Sequence, residues 1–198
     1  MNGFKTVRQR GIASFTERKS VFTGFIAPIL DEKEALAFIR EISARNDTAT
    51  HNVFAYIDRG GGAVRCSDAG EPKGTAGMPV LEVLKREELF GVVCVVSRWF
   101  GGILLGAGGL VRAYAHCAKL AVDEAGVEIL YPWRKLAFSV SYALYERILY
   151  DLPRMGVEIV HTSFAERIKM AVSVREDKAD EFLWYLTEIS AGSITAEG

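Results

Sequence analysis

The chain has 198 residues, 49% of them hydrophobic and 25% charged, with a formal net charge of -1. That size and composition exclude a disordered or low-complexity chain and suit one medium and one small globular domain. Cys66, Cys94 and Cys117 form no CxxC pair and leave an odd thiol, which argues against a disulfide framework or a thiolate zinc site and for a reducing cytoplasm.

The opening residues carry no apolar run of a secretory leader, and the long apolar stretch 91–111 is broken by Ser97, Arg98 and several glycines, so no membrane span is expected. Residues 6–15 and 20–29 read as a hairpin around the polar turn TERKS, with Val21, Phe25 and Ala27 sharing one side of the second strand. Asp31 caps a helix over DEKEALAFIREISAR, whose Ala35, Phe38, Ile39 and Ile42 recur at helical spacing. THNVFAYID reads as a strand, the glycines at 60–62 as a turn and AVRCS as its antiparallel return. A short helix follows from about Ala76 to Glu87, with Pro79 in its first turn and Val80, Leu81, Val83 and Leu84 on its inner surface. GVVCVVS is apolar on both alternating faces, the mark of a strand covered from both sides. LVRAYAHCAKLAVDEAG then reads as a helix of about four turns ending at Gly126.

From Trp133 the pattern restarts. KLAFSVS, VEIVHTSF and RIKMAVSV alternate as strands, and ALYERILYDL and DKADEFLWYLTEIS are amphipathic, with Phe182, Leu186 and Ile189 on one face of the latter. SITAEG is a candidate last strand. The expected class is α+β, with a larger domain over 1–131 and a small ferredoxin-like βαββαβ domain over 132–198, divided near Pro132.

Chemistry concentrates in two places. The first is RWFGGILLGAGGLVRAY, where Gly101, Gly102, Gly106, Gly108 and Gly109 lie between the core strand and the helix. Glycine admits backbone with φ > 0 and close approach, so this junction can aim several N–H groups at one anion. Residues 89–122 hold no acid, Arg98 and Arg112 bracket the glycines, and Lys119 lies two turns further on. The alternative is that the glycines let the helix pack closely on the core strand. Neither GxxxxGK[ST] nor GxGxxG is present, because no Lys follows Gly106 and Val111 holds the last position of the second pattern.

The second is SDAGEPKGTAGMP. Asp68 and Glu71 lie in a Gly/Pro loop with Lys73 and Thr75 close behind and His51 on a preceding strand, a set able to bind a cation, position a water or contact a partner. The local alternative has Asp68 accepting backbone N–H bonds and Thr75 capping the next helix. Cys66 has no assured His partner, and His116 and His161 fall in ordinary helical and strand patterns. No catalytic set, metal centre or cofactor is assigned. Residues 133–198 carry eight bases against ten acids, and RIKMAVSV lacks the paired aromatics of an RNA recognition motif.

SDAGEPKGTAGMPVLEVL followed by VVSRWFGGILLGAGGLVRAYAHC resembles the IMPACT family, specifically its YigZ-like bacterial branch. ATHNVFAY and RKSVFTGFIAPI extend the resemblance over the first two-thirds of the chain. It implies a larger domain similar to the second domain of ribosomal protein S5 and a small domain similar to the last domain of elongation factor G. Eukaryotic members act as translational regulators, using an N-terminal RWD domain not found in this sequence. The chain departs from the family at Ala69, where a second Asp is usual, and at Asn46, where a His is common.

These readings lead to a non-catalytic protein tied to translation or stress, binding RNA, the ribosome or a protein partner through an anion-receptive surface at Arg98, the five glycines, Arg112 and Lys119. The competing reading is a metal-assisted phosphoester or nucleotide hydrolase using His51, Asp68 and Glu71.

Overall fold

The computed structural model describes residues 3–197. The chain divides into two compact units, Phe4–Ile129 and a second beginning at Leu130, an organisation of mixed α and β elements.

The first unit runs β1 (Phe4–Val7), β2 (Gly11–Glu17), β3 (Ser20–Pro28), α1 (Glu32–Arg45), β4 (His51–Ile57), β5 (Val64–Ser67), α2 (Gly77–Arg86), β6 (Val92–Trp99), α3 (Ala107–Ala125) and β7 (Val127–Leu130), the last residue of which begins the second unit. Five strands form one sheet in the order β2-β3-β6-β4-β5, antiparallel throughout. Strand β6 lies in the middle, and both of its faces are covered, as its unbroken apolar run requires. Val92, Cys94 and Val96 pack with α2 and α3, whereas Val93 and Val95 pack with α1.

The strand expected over 6–15 is in fact two. β1 pairs with β7 rather than with the main sheet, and Arg8 N–H donates to Gly126 O at 2.9 Å. β2 begins at Gly11 because α3 crosses there; a Cβ on Gly11 would lie 2.7 Å from Ala121 O, and one on Gly24 3.0 Å from Cys117 O. Thus the glycines that let α3 settle on the sheet are in the hairpin strands. At the hairpin tip Arg18 and Lys19 both have positive φ, 45° and 64°, the two-residue geometry whose twist matches antiparallel strands. Val21, Phe25 and Ala27 do share a side of β3, but Val21 is exposed and the opposite side, Phe22 to Ile26, is the more deeply buried.

Helix α1 starts where expected: Asp31 accepts from Glu34 N–H at 2.9 Å, and Ala35, Phe38, Ile39 and Ile42 are buried. Helix α3 starts earlier than expected. Gly106 is its N-cap, so Gly108 and Gly109 lie in its first turn rather than in the loop before it.

The second unit contains β8 (Trp133–Val140), α4 (Tyr142–Asp151), β9 (Glu158–Phe164), β10 (Ile168–Arg175) and α5 (Ala179–Ile189), with sheet order β8-β10-β9. Its last segment reaches β8 by a single antiparallel bridge, Ala137 to Glu197, in place of a full strand. Leu136, Phe138, Ile148, Met170, Phe182 and Leu186 build its core.

The glycines of the junction are separable by experiment. A Cβ on Gly101 would fall within 2.0 Å of the Lys19 carbonyl, so Gly101→Ala should lower stability by about 1–3 kcal/mol as the hairpin tip is pushed away. A Cβ on Gly108 would meet only Arg112 Nη1, at 3.6 Å, so Gly108→Ala should be neutral or stabilising by up to about 1 kcal/mol. Thermal and urea unfolding of the two variants read this difference.

Candidate functional site

Strand register decides where Arg98 goes. It sits opposite Phe22 on β3 and His51 on β4, and it shares the face of Cys94 and Val96, the face covered by α3. Its side chain is accordingly only 6% exposed, and it meets Glu71, at 3%, in an ion pair with Nη1 to Oε1 at 2.6 Å. Nη2 also donates to Ser20 Oγ at 3.3 Å, and the guanidinium lies 5.5 Å from the Phe22 ring centre and 5.4 Å from that of Phe100. Tyr114, buried on α3, donates to the same Glu71 Oε1 at 2.7 Å. Burial and the Glu71 hydrogen bond push the Tyr114 phenol well above its usual range, so it stays a donor. Two charges withdrawn from water in this way are tolerable only because each is paired and hydrogen-bonded.

Glu71 reaches this position through a loop whose shape is set by Asp68. Asp68 Oδ1 accepts from Ala76 and Gly77 N–H at 3.1 and 2.8 Å, and Oδ2 from Gly74 N–H at 2.8 Å. Its carboxylate therefore caps α2 from eight or nine positions away. Burial acts to raise its pKa, but the three N–H donors outweigh it and hold the carboxyl below its usual value. Thr75 does not cap α2 as expected; its hydroxyl donates to Pro72 O at 2.7 Å. Lys73 is exposed at the tip of the loop.

His51 Nδ1 lies 2.8 Å from Ala69 O. A carbonyl can only accept, so Nδ1 carries a proton, and in that tautomer of the imidazole Nε2 presents a lone pair. Nε2 faces Glu71 Oε2 at 3.9 Å. Ala69 holds its carbonyl there from a left-handed backbone conformation, φ 46°, followed by Gly70 at φ 88°, a strained arrangement of the kind found at binding sites.

The start of α3 separates two hollows. One, of about 400 Å³, is lined by Thr50, His51, Glu71, Arg98, Phe100, Leu104, Gly106 and Ala107 among others. The second, of about 230 Å³, includes Phe15, Glu17, Arg18, Gly109, Arg112 and His116. Between them, α3 has no side-chain cap and no acid in its first turn. Its first internal bond is Leu110 N–H to Gly106 O at 2.9 Å, which leaves the amides of residues 107–109 without helical partners.

The sequence-derived anion surface is therefore rearranged. Gly106, Gly108, Gly109 and Arg112 do meet at one place, and Arg112 is exposed. Arg98 is not a surface cation, since Glu71 neutralises it internally. Lys119 is also committed, at 2.7 Å to Asp123 and 3.0 Å to Glu87, and these bonds raise its pKa. Gly101 serves the hairpin contact, while Gly102, with φ 82° and nothing within 4 Å of its Cβ position, turns the loop. Arg18 and His116 take the places beside Arg112; the hairpin tip brings Arg18 there, which no linear pattern announces.

The three groups considered for hydrolysis do not converge, because Asp68 is spent on α2 while His51 and Glu71 meet. Among the described residues no three His, Cys, Asp or Glu side chains are grouped to hold a metal ion. Cys66 is pushed above its usual value by burial and then by the Asp68 charge, the reverse of an activated thiolate. Cys94 and Cys117 are buried, with the Cys117 thiol raised to about 12 by burial. Asn46 caps the end of α1 through Ile42 O and lies outside the cleft lining.

Two stability tests follow. Glu71→Ala strands Arg98 and should cost about 3–5 kcal/mol, whereas Glu71→Leu combined with Arg98→Met and Tyr114→Phe, which removes both charges and the buried hydroxyl that Glu71 accepts from, should recover most of that loss in urea unfolding. Asp68→Ala should cost about 1–2 kcal/mol. Because the folded-state pKa of Asp68 is depressed, its contribution is present above the ordinary carboxylate range and disappears as pH falls through the folded value. The parent should therefore lose stability on acidification more steeply than Asp68→Asn, as measured by unfolding at a series of pH values.

Residues 18–122 match the Impact N-terminal domain, and residues 138–193 match a domain of unknown function, DUF1949. The chain is 33% identical to the IMPACT family member YvyE of Bacillus subtilis, over 97% of this chain and 89% of that protein. It is 30% identical to the IMPACT family member YigZ of Escherichia coli, over 89% and 88% respectively. A crystal structure described only as that of a hypothetical protein superposes with a TM-score of 0.67 at 27% identity, covering 99% of this chain and 97% of the other. Matching both halves of such relatives along most of its length, the chain belongs to the IMPACT family, alongside its YigZ-like bacterial members.

Proposed function

We propose that the protein is a non-catalytic, cytoplasmic regulator associated with translation, and that it binds RNA on the face where the β2–β3 hairpin tip meets the start of α3. The observation that carries this reading is the uncapped first turn of α3, free of acids, with Arg112 beside it. Amides and guanidinium groups arranged in this way favour phosphate oxygens. Arg18, with a side chain 58% exposed, adds a second cation, and Glu17 approaches it no closer than 3.9 Å.

Family membership supports the setting, since the IMPACT resemblance points to translational regulators. Fold analogy adds to it, since the family resemblance implies a larger domain like the second domain of ribosomal protein S5 and a small ferredoxin-like domain like the last domain of elongation factor G. Such analogies support a setting and not a chemistry. With Asp68 held by three backbone N–H groups, His51, Asp68 and Glu71 do not converge as a hydrolytic set would, which favours binding over catalysis. Among the described residues no helix is long and apolar enough to cross a membrane.

Binding of a short single-stranded RNA should weaken steeply with salt. Arg18→Glu combined with Arg112→Glu should reduce affinity by at least about tenfold and flatten the slope of log affinity against log salt by about 1.4. Anisotropy titrations from low to physiological salt check this. Salt-insensitive binding, or an unchanged double variant, would count against the reading.

A further inference from the structure

The larger hollow contains an arrangement that phosphate binding leaves unexplained. His51 Nε2 and Glu71 Oε2 are both acceptors, they face each other at 3.9 Å, and they line the same cleft. The Ala69 carbonyl accepts from the Nδ1 proton of His51, and in that tautomer of the imidazole Nε2 is an acceptor. Glu71 Oε1 already accepts from Arg98 and Tyr114, and among the described residues Oε2 makes no hydrogen bond and opens onto the cleft. Two acceptors converging across a gap, both open to the cleft, match a ligand that supplies two donors close together.

We propose that this cleft binds a ribonucleotide through the 2′,3′-cis-diol of its ribose, one hydroxyl donating to His51 Nε2 and the other to Glu71 Oε2. A vicinal diol is the common group whose two O–H donors are held side by side, and carboxylates recognise it in nucleotide sites. The rest of the cleft suits the rest of the nucleotide. Gly106 and Ala107 bring the uncapped start of α3 to its wall for the phosphate, and Phe100 and Leu104, 45% and 80% exposed, offer an aromatic and an aliphatic surface to the base. Its volume of about 400 Å³ lies within the usual range of small-ligand sites. The inference deepens the RNA-binding reading and rests on it for the phosphate-seeking helix start. The diol occurs at the 3′ terminus of an RNA strand and in a free nucleoside 5′-phosphate.

The test compares adenosine 5′-phosphate with its 2′,3′-dideoxy analogue by calorimetry, and an RNA oligonucleotide ending in ribose with the same strand ending in a 2′,3′-dideoxynucleotide by anisotropy. Both are run on the parent and on His51→Ala, with melting temperatures to show that the variant is folded. On the parent the diol should improve binding by about tenfold, and His51→Ala should erase most of that preference. Discrimination at the strand terminus assigns RNA 3′ ends as the ligand, and discrimination confined to the mononucleotide assigns free nucleotides. Equal binding of the diol and dideoxy forms to the parent, or full discrimination retained by folded His51→Ala, overturns the inference even where salt-dependent RNA binding stands. Diol-dependent nucleotide binding with no affinity for either oligonucleotide overturns the RNA reading and leaves the diol site.

Discussion

The buried pair of Glu71 and Arg98 is the constraint on which the larger domain's site depends. Arg98 comes from the central strand β6, Glu71 from the loop before α2, and the supporting Tyr114 from α3, so one carboxylate oxygen ties together the sheet, the loop and the helix. Withdrawing both charges from water is expensive, and such a pair contributes less to net stability than an apolar replacement of equal volume would. What it supplies is position. With Glu71 Oε1 held by two donors, Oε2 faces His51 at 3.9 Å, and both residues line the cleft.

Two chains of local bonds support the pair. On one side, Asp68 gathers the N–H groups of residues 74, 76 and 77 and so fixes the loop that delivers Glu71. Gly77 is part of the same device, because a Cβ there would lie 2.7 Å from the Ser67 backbone and would drive α2 off the loop. On the other side, Ser20 Oγ accepts from both Arg98 Nη2 and the Gly101 amide, joining the hairpin tip to the glycine turn. The tip that carries Arg18 is thereby tied to the residue that pairs with Glu71, although their side chains serve different hollows.

Much of this was legible in the sequence, and the misses have physical causes. Periodicity located β6 and the inner faces of α1 and α2, because burial on one or both sides imposes a pattern along the chain itself. The same rule, applied by parity, would have put Arg98 on the helix-covered face with Cys94 and Val96; its charge suggested a surface role instead. The start of α3 was misplaced because Gly108 and Gly109 have poor helix propensity, which tertiary packing of Leu110, Ala113, Tyr114 and Cys117 overrides. Single glycines at 11 and 24 gave no local signal at all, since what they admit is a helix more than ninety positions away. The union of Arg18 with Arg112 was likewise invisible, for it depends on the hairpin folding across the sheet edge.

The distribution of glycine around α3 finally separates shape from binding. Gly11, Gly24 and Gly101 are each pressed against backbone, so they serve close packing, whereas Gly102 and Gly106 have positive φ and open space around them. A chain that needed only a tight helix-to-strand junction would require the first group and not the second. Open glycines lie instead where the loop turns and where α3 begins, and at that place a side chain would cover the amides of the first turn. Keeping those amides bare forgoes the stabilisation that a Ser, Asp or Asn cap would supply at Gly106. A helix start left uncapped, bordered by an exposed arginine on one side and by a cleft with converging acceptors on the other, is arranged for a ligand that carries both negative charge and hydrogen-bond donors.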